Sequence, residues 1–115
     1  MNSETTTNAG KFPSAESVAA DGLLQYQQGA VVSRIVLKEA AGSVTLFAFD
    51  EAQGLSEHTS PRDALVYVME GRAEIRILGE PVSAKAGDLV WMPANQRHSV
   101  QAVTRFKMML TLLRP

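Results

Sequence analysis

Gly71-Arg72-Ala73-Glu74-Ile75-Arg76-Ile77-Leu78-Gly79-Glu80 is the stretch that decides the fold class. Polar side chains at 72, 74 and 76 alternate with apolar ones at 73, 75 and 77. A period of two sends successive side chains to opposite faces of a strand, so one face meets a core and the other meets water. Gly79-Glu80 follows, with glycine where a two-residue hairpin turn needs positive φ. A second alternating run then begins, with Val82, Ala84 and Ala86 on one face and Ser83 and Lys85 on the other.

Outward from this hairpin the same punctuation repeats. Glycines at 42, 54, 71, 79 and 87 and a Pro-Ala-Asn turn at 93–95 separate short runs rich in Val, Ile, Leu and Phe. Strands at such spacing indicate an all-β sandwich or barrel. The predicted strands are 31–37, 43–49, 64–69, 72–78, 82–86, 89–92, 99–103 and 106–113. No run of ten or more residues carries a helical stripe. Residues 1–17, dominated by Ser, Thr, Asn, Gly and Pro, read as a flexible tail, and 18–115 as a single domain. Within 17–28 the pattern suits a short helical turn leading into a strand.

Composition narrows the function. At 115 residues the chain has room for one core, which buries roughly two-thirds of the unfolded surface. Hydrophobic residues are 45% and charged residues 20%, the balance of a folded globular protein. There is no cysteine, which excludes disulfides, thiolate metal sites and thiol nucleophiles. Eleven Lys+Arg against twelve Asp+Glu give a net charge of −1, so no basic surface for nucleic acid is expected. Apolar runs fall far short of the ~20 residues that cross a bilayer, and no secretory signal is visible. A cytoplasmic protein without membrane contact is therefore expected.

The chain has two histidines, His58 and His98. His98 follows the 93–97 turn and shares a strand face with Val100 and Ala102, which aims it inward. His58 lies at a strand rim from which the same cavity is in reach.

Here the residues resemble the cupin family. Its first motif runs Gly, five residues, His-x-His, three or four residues, Glu, six residues, Gly. Its second runs Gly, five residues, Pro-x-Gly, two residues, His, three residues, Asn. The chain matches the latter part of the first with His58-Thr59-Ser60-Pro61-Arg62-Asp63-Ala64-Leu65-Val66-Tyr67-Val68-Met69-Glu70-Gly71. It matches the second with Gly87-Asp88-Leu89-Val90-Trp91-Met92-Pro93-Ala94-Asn95-Gln96-Arg97-His98. The resemblance spans about residues 30–113 and implies a double-stranded β-helix, or jelly-roll barrel, of two antiparallel sheets.

The departures bear on chemistry. Cupin metal sites use three His and one Glu. His58 and His98 occupy the first and last His positions, while Ser60 stands for the second His and Ala64 for the Glu. Asn95 replaces the second-motif Gly and Ala102 the Asn. A catalytic ion normally takes three protein ligands and keeps one open position. Glu57 and Asp63 are near, but each sits one residue off an inward position, close to a turn where alternation fails.

Two functions are expected to compete. In the first, a small molecule binds in the barrel, against Ser60, Ala64, Val66, Val100 and Ala102, with His58 and His98 as polar contacts. In the second, His58 and His98 hold a divalent Fe, Mn, Ni or Zn ion with an unidentified third ligand. The resemblance then allows dioxygenase, isomerase or decarboxylase chemistry. Each reading carries a bland counterpart in which the histidines are hydrogen-bonded core residues. Asp88 reads as a turn residue, Trp91 and Met92 as core or dimer contacts, and Met108, Met109, Leu110, Leu112 and Leu113 as core plus interface. The segment 31–37 is apolar on nearly both faces, which suits a strand covered by a second subunit, so a homodimer is expected.

Overall fold

A computed structural model of the chain describes residues 4–7 and 12–114. Among the described residues ten strands follow one another: β1 (Glu4–Thr7), β2 (Val31–Glu39), β3 (Gly42–Phe49), β4 (Gly54–His58), β5 (Asp63–Glu70), β6 (Arg72–Ile77), β7 (Glu80–Lys85), β8 (Leu89–Met92), β9 (His98–Ala102) and β10 (Phe106–Leu113). Between β1 and β2 a single 3₁₀ turn spans Ala20–Leu23. The strands form a six-stranded sheet in the order β1-β2-β3-β10-β5-β8 and a four-stranded sheet in the order β4-β9-β6-β7. The all-β jelly roll of two sheets is therefore what the chain adopts. All pairings are antiparallel except β1 with β2, which is parallel.

The predicted strands appear with ends shifted by two residues at most, and 89–92 and 106–113 appear unshifted. Two strands lie outside the sequence expectation. Residues 1–17 were expected as tail, yet Glu4–Thr7 extends the six-stranded sheet beside Val31–Arg34. Gly54–His58 pairs with β9. The hairpin turn is also placed one residue earlier than expected. It is Leu78-Gly79, with φ +53° and +82°, both left-handed as a type I′ turn requires.

Alternation builds the interior. Phe47, Phe49, Val66, Val68, Ile75, Val100, Phe106 and Met108 meet in the main core between the sheets. Phe49 and Phe106 stack with ring centroids 4.5 Å apart. A second, smaller core lies on the outer face of the six-stranded sheet. There Leu24 packs with Val32, Leu46 and Ala48, and Leu23, Tyr26, Val36, Met69 and Met109 pack against them. The cover is pinned by polar contacts. The buried Lys107 donates to the Asp21 carbonyl at 2.9 Å and its carboxylate at 3.0 Å, and Tyr26 donates to Glu70 at 2.5 Å.

This second core explains the two-faced apolarity of 31–37. Val31 faces the main core, and Val32 faces Leu24 of the same chain. Val31, Val32 and Ser33 are buried within one chain, whereas Leu37 at the far end of the strand is 53% exposed. The same logic accounts for β10, where Met108 enters the main core and Met109 the outer one.

Candidate functional site

His58 closes β4 and His98 opens β9, and the two are register partners across the sheet. What brings them together is a bulge. Leu55 pairs with Val100, and the next aligned pair is His58 with His98, so two residues of β4 oppose Ser99 alone. Leu55 packs against the main core. Unbroken alternation from Leu55 would turn Glu57 toward His98. The extra residue shifts the phase by one, and His58 takes that place, as bulges commonly re-aim a side chain. Glu57 instead lies 3.7 Å from Arg97 at the surface.

The two rings meet edge to face, with centroids 4.5 Å apart and planes at 73°. His58 Nδ1 lies 2.9 Å from the Ser56 carbonyl, and His98 Nδ1 lies 3.0 Å from the Gln96 carbonyl. A carbonyl only accepts, so each Nδ1 carries the ring proton. That leaves the two Nε2 lone pairs facing each other across 3.2 Å. Two acceptors at this distance repel unless a proton or a donor group comes between them. Burial holds the His98 pKa below its ordinary 6.5; the hydrogen bond to Gln96 opposes this, and the charge of His58 adds to it. His98 is buried and His58 exposed, so the pair is reached from the His58 side.

The other sequence-singled residues divide into two groups. Ser60 is at the rim, where its hydroxyl accepts from the Arg62 amide at 3.2 Å and its carbonyl from the Asn95 amide at 2.7 Å. Asn95 has φ +65°, the left-handed conformation that glycine supplies in the family motif and that asparagine tolerates. Ala64, Val66, Val100 and Ala102 face inward as expected. They are packed into the main core at 0–3% exposure. Asp63 faces outward; its carboxylate accepts from the Ala94 amide at 2.9 Å and from Trp91 Nε1 at 3.0 Å, which lowers its pKa. Asp88 accepts from the Lys85 amide at 2.9 Å and so is a turn residue. A polar depression of about 430 Å³ lies on the outer face of the four-stranded sheet, lined by Ser56, Glu74, Arg76, Ser99 and Gln101 among others, and neither histidine lines it.

The family model described as "Cupin domain" matches residues 45–113. The chain belongs to the cupin family. No curated protein matches this cupin. Among solved structures it is similar to a conserved protein of unknown function from Streptococcus pyogenes, with 28% identity over 95% of this chain and 96% of that one and a TM-score of 0.86. It is also similar to a cupin superfamily protein from Desulfitobacterium hafniense, with 22% identity over 92% and 97% and a TM-score of 0.85. A Cupin 2 conserved barrel domain protein from Leptotrichia buccalis has 32% identity over 82% of this cupin but only 46% of its own length, with a TM-score of 0.79.

Whether this cupin suits a metal ion is decided by its donors. Two ligands on bonds of ~2.0–2.1 Å at tetrahedral or right angles lie roughly 2.9–3.4 Å apart, so the Nε2 pair has the spacing of one edge of a coordination shell. The rest of the shell is missing. Among the described residues no group of three or more His, Asp or Glu converges. Glu57 and Asp63 are turned to other partners. The residues present do not fit a resident ion of the usual four-ligand kind.

Proposed function

We propose that this cupin binds a small molecule at the end of the barrel that carries His58 and His98, without a resident metal ion. The observation that supports it is the pair of Nε2 acceptors, 3.2 Å apart, with both Nδ1 protons already committed to backbone carbonyls. Such a pair takes a hydrogen-bond donor. A hydroxyl or carboxylic acid fits, and on proton uptake the pair becomes an imidazole–imidazolium couple that attracts a carboxylate. At the same end of the barrel, Ile77 is the register partner of His98 and packs, partly buried, against the main core. It offers an apolar surface for the body of the ligand. Because Ala64, Val66, Val100 and Ala102 fill the centre, the ligand sits at the mouth and touches this wall only at its edge.

The test is thermal unfolding with a panel of small hydroxy and carboxylic acids in excess chelator. A ligand at ~100 times its Kd adds about 2.7 kcal/mol, or roughly 10 °C in Tm for a domain of this size. The gain is expected to survive chelator and to vanish in His98→Ala. Stabilisation that requires an added divalent ion would support metal-dependent cupin chemistry instead.

A further inference from the structure

We propose that the depression on the outer face of the four-stranded sheet is a second binding site, for a small neutral polyhydroxylated molecule such as a single sugar unit. Alternation places its side chains. Ala73, Ile75 and Ile77 of β6 and His98, Val100 and Ala102 of β9 face the interior, so Glu74, Arg76, Ser99 and Gln101 face outward. The register sets Gln101 beside Glu74 and Ser99 beside Arg76. The spacing between paired strands and the two-residue step along each put these four positions at the corners of a rectangle of roughly 5 by 7 Å. Ser56 joins them from the bulge of β4, where two residues oppose Ser99 alone and the strand bends. The depression holds about 430 Å³, within the range of small-molecule sites.

The polar groups are held before a ligand arrives. Gln101 Nε2 donates to the Ala52 carbonyl at 2.7 Å, and the Ala52 amide is itself tied to the Ala102 carbonyl at 3.2 Å. Gly54 makes room for this, since a Cβ there would lie 3.0 Å from Gln101 Oε1. Arg76 Nε donates to Glu74 Oε1 at 2.8 Å. These bonds leave Gln101 Oε1 and Glu74 Oε2 to accept and the Arg76 Nη groups to donate, while the hydroxyls of Ser56 and Ser99 do both. Side chains already in place lose little entropy on binding.

The donor and acceptor set selects the ligand. An anion drawn to Arg76 is repelled by Glu74, and a cation drawn to Glu74 is repelled by Arg76. A hydroxyl donates and accepts at once, so adjacent hydroxyls on one ring satisfy both kinds of group without separating the ion pair. The site is separate from the mouth of the barrel, because neither histidine lines it.

The full chain, isotopically labelled at nitrogen, is titrated with D-glucose, D-galactose and D-mannose and, separately, with acetate and methylammonium, and the amide shifts are followed by NMR. At least one sugar is expected to give saturable shifts at Glu74, Ser99 and Gln101, and acetate and methylammonium to give none there. Arg76→Ala and Gln101→Ala, both at exposed residues, are each expected to weaken that binding ~10-fold. The absence of a saturable response to any of the sugars overturns the proposal. So do shifts that gather at His58 and His98 instead, an affinity unchanged in the folded variants, or saturation of the same amides by acetate or methylammonium.

Discussion

Gly71 joins β5 to β6 with φ +78°, and an added Cβ would lie 2.0 Å from the Arg105 carbonyl oxygen, 2.7 Å from Phe106 Cβ and 2.8 Å from Phe106 Cα. Gly71→Ala therefore has two separate costs. The left-handed conformation costs an L-residue about 1–2 kcal/mol. The overlap is with backbone, so no side chain can rotate out of the way. To clear it, the Gly71 turn must separate from the start of β10, where Phe106 is fully buried and stacked on Phe49. Complete loss of a core phenylalanine costs about 3–5 kcal/mol, and loosening one gives up a sizeable part of that. The total expected for Gly71→Ala is at least ~3 kcal/mol, or a fall in Tm of more than ~12 °C. Gly79 is the matched control. Its φ is +82°, and nothing lies within 4 Å of the added Cβ. Gly79→Ala then carries only the conformational cost, less the entropy removed from the unfolded chain, for a net loss of about 1 kcal/mol. Urea unfolding of both variants measures the difference. Equal losses would show that the close approach of Gly71 to Arg105 and Phe106 does not exist.

Three further outcomes follow from the geometry. Leu78 holds φ +53° in the turn before Gly79, so Leu78→Asn, which gives the favoured Asn-Gly pair, is expected to raise stability by about 1 kcal/mol in urea unfolding. The His98 pKa is lowered on folding, so the unfolded chain binds the proton more readily. That contribution to stability is complete above about pH 6.5 and is lost as the pH falls through the lowered value; His58→Ala, by removing a like charge and admitting water, is expected to raise the His98 pKa in an NMR titration. Deletion of Ser56 removes the bulge while leaving Glu57 alone opposite Ser99 and His58 still opposite His98, so the His98 pKa is expected to stay lowered in an NMR titration; a His98 pKa raised by a carboxylate moved in beside it would refute the phase-shift account of the bulge.

The strands that the sequence announced are those whose two faces differ in polarity, such as 72–77, or that are apolar throughout, such as 106–113. β4 was hidden because Gly54-Leu55-Ser56-Glu57-His58 has one apolar side chain, lies at a sheet edge and is broken by a bulge. β1 is a short run of Glu and Thr with no apolar alternation to mark it. The two-faced strand 31–37 was legible as buried, but periodicity does not say whose side chains do the covering. At Val32 it is Leu24 of the same chain. At the site, motif spacing located both histidines. It did not reveal that their Nδ1 protons are fixed by the Ser56 and Gln96 carbonyls, because that depends on backbone direction within two residues of each ring. Nor could alternation exclude Glu57, since the phase shift that turns it away is a property of pairing with β9.

The central claim is that two histidines at the mouth of this cupin barrel serve ligand binding and do not hold a resident ion. The most direct measurement is the metal content of tag-free protein by mass spectrometry, for the wild type and for His58→Ala and His98→Ala. With two imidazoles and no third donor among the described residues, the expected content is below about 0.1 ion per chain, the same in all three proteins. About one ion per chain in the wild type, lost in both variants, would contradict the claim.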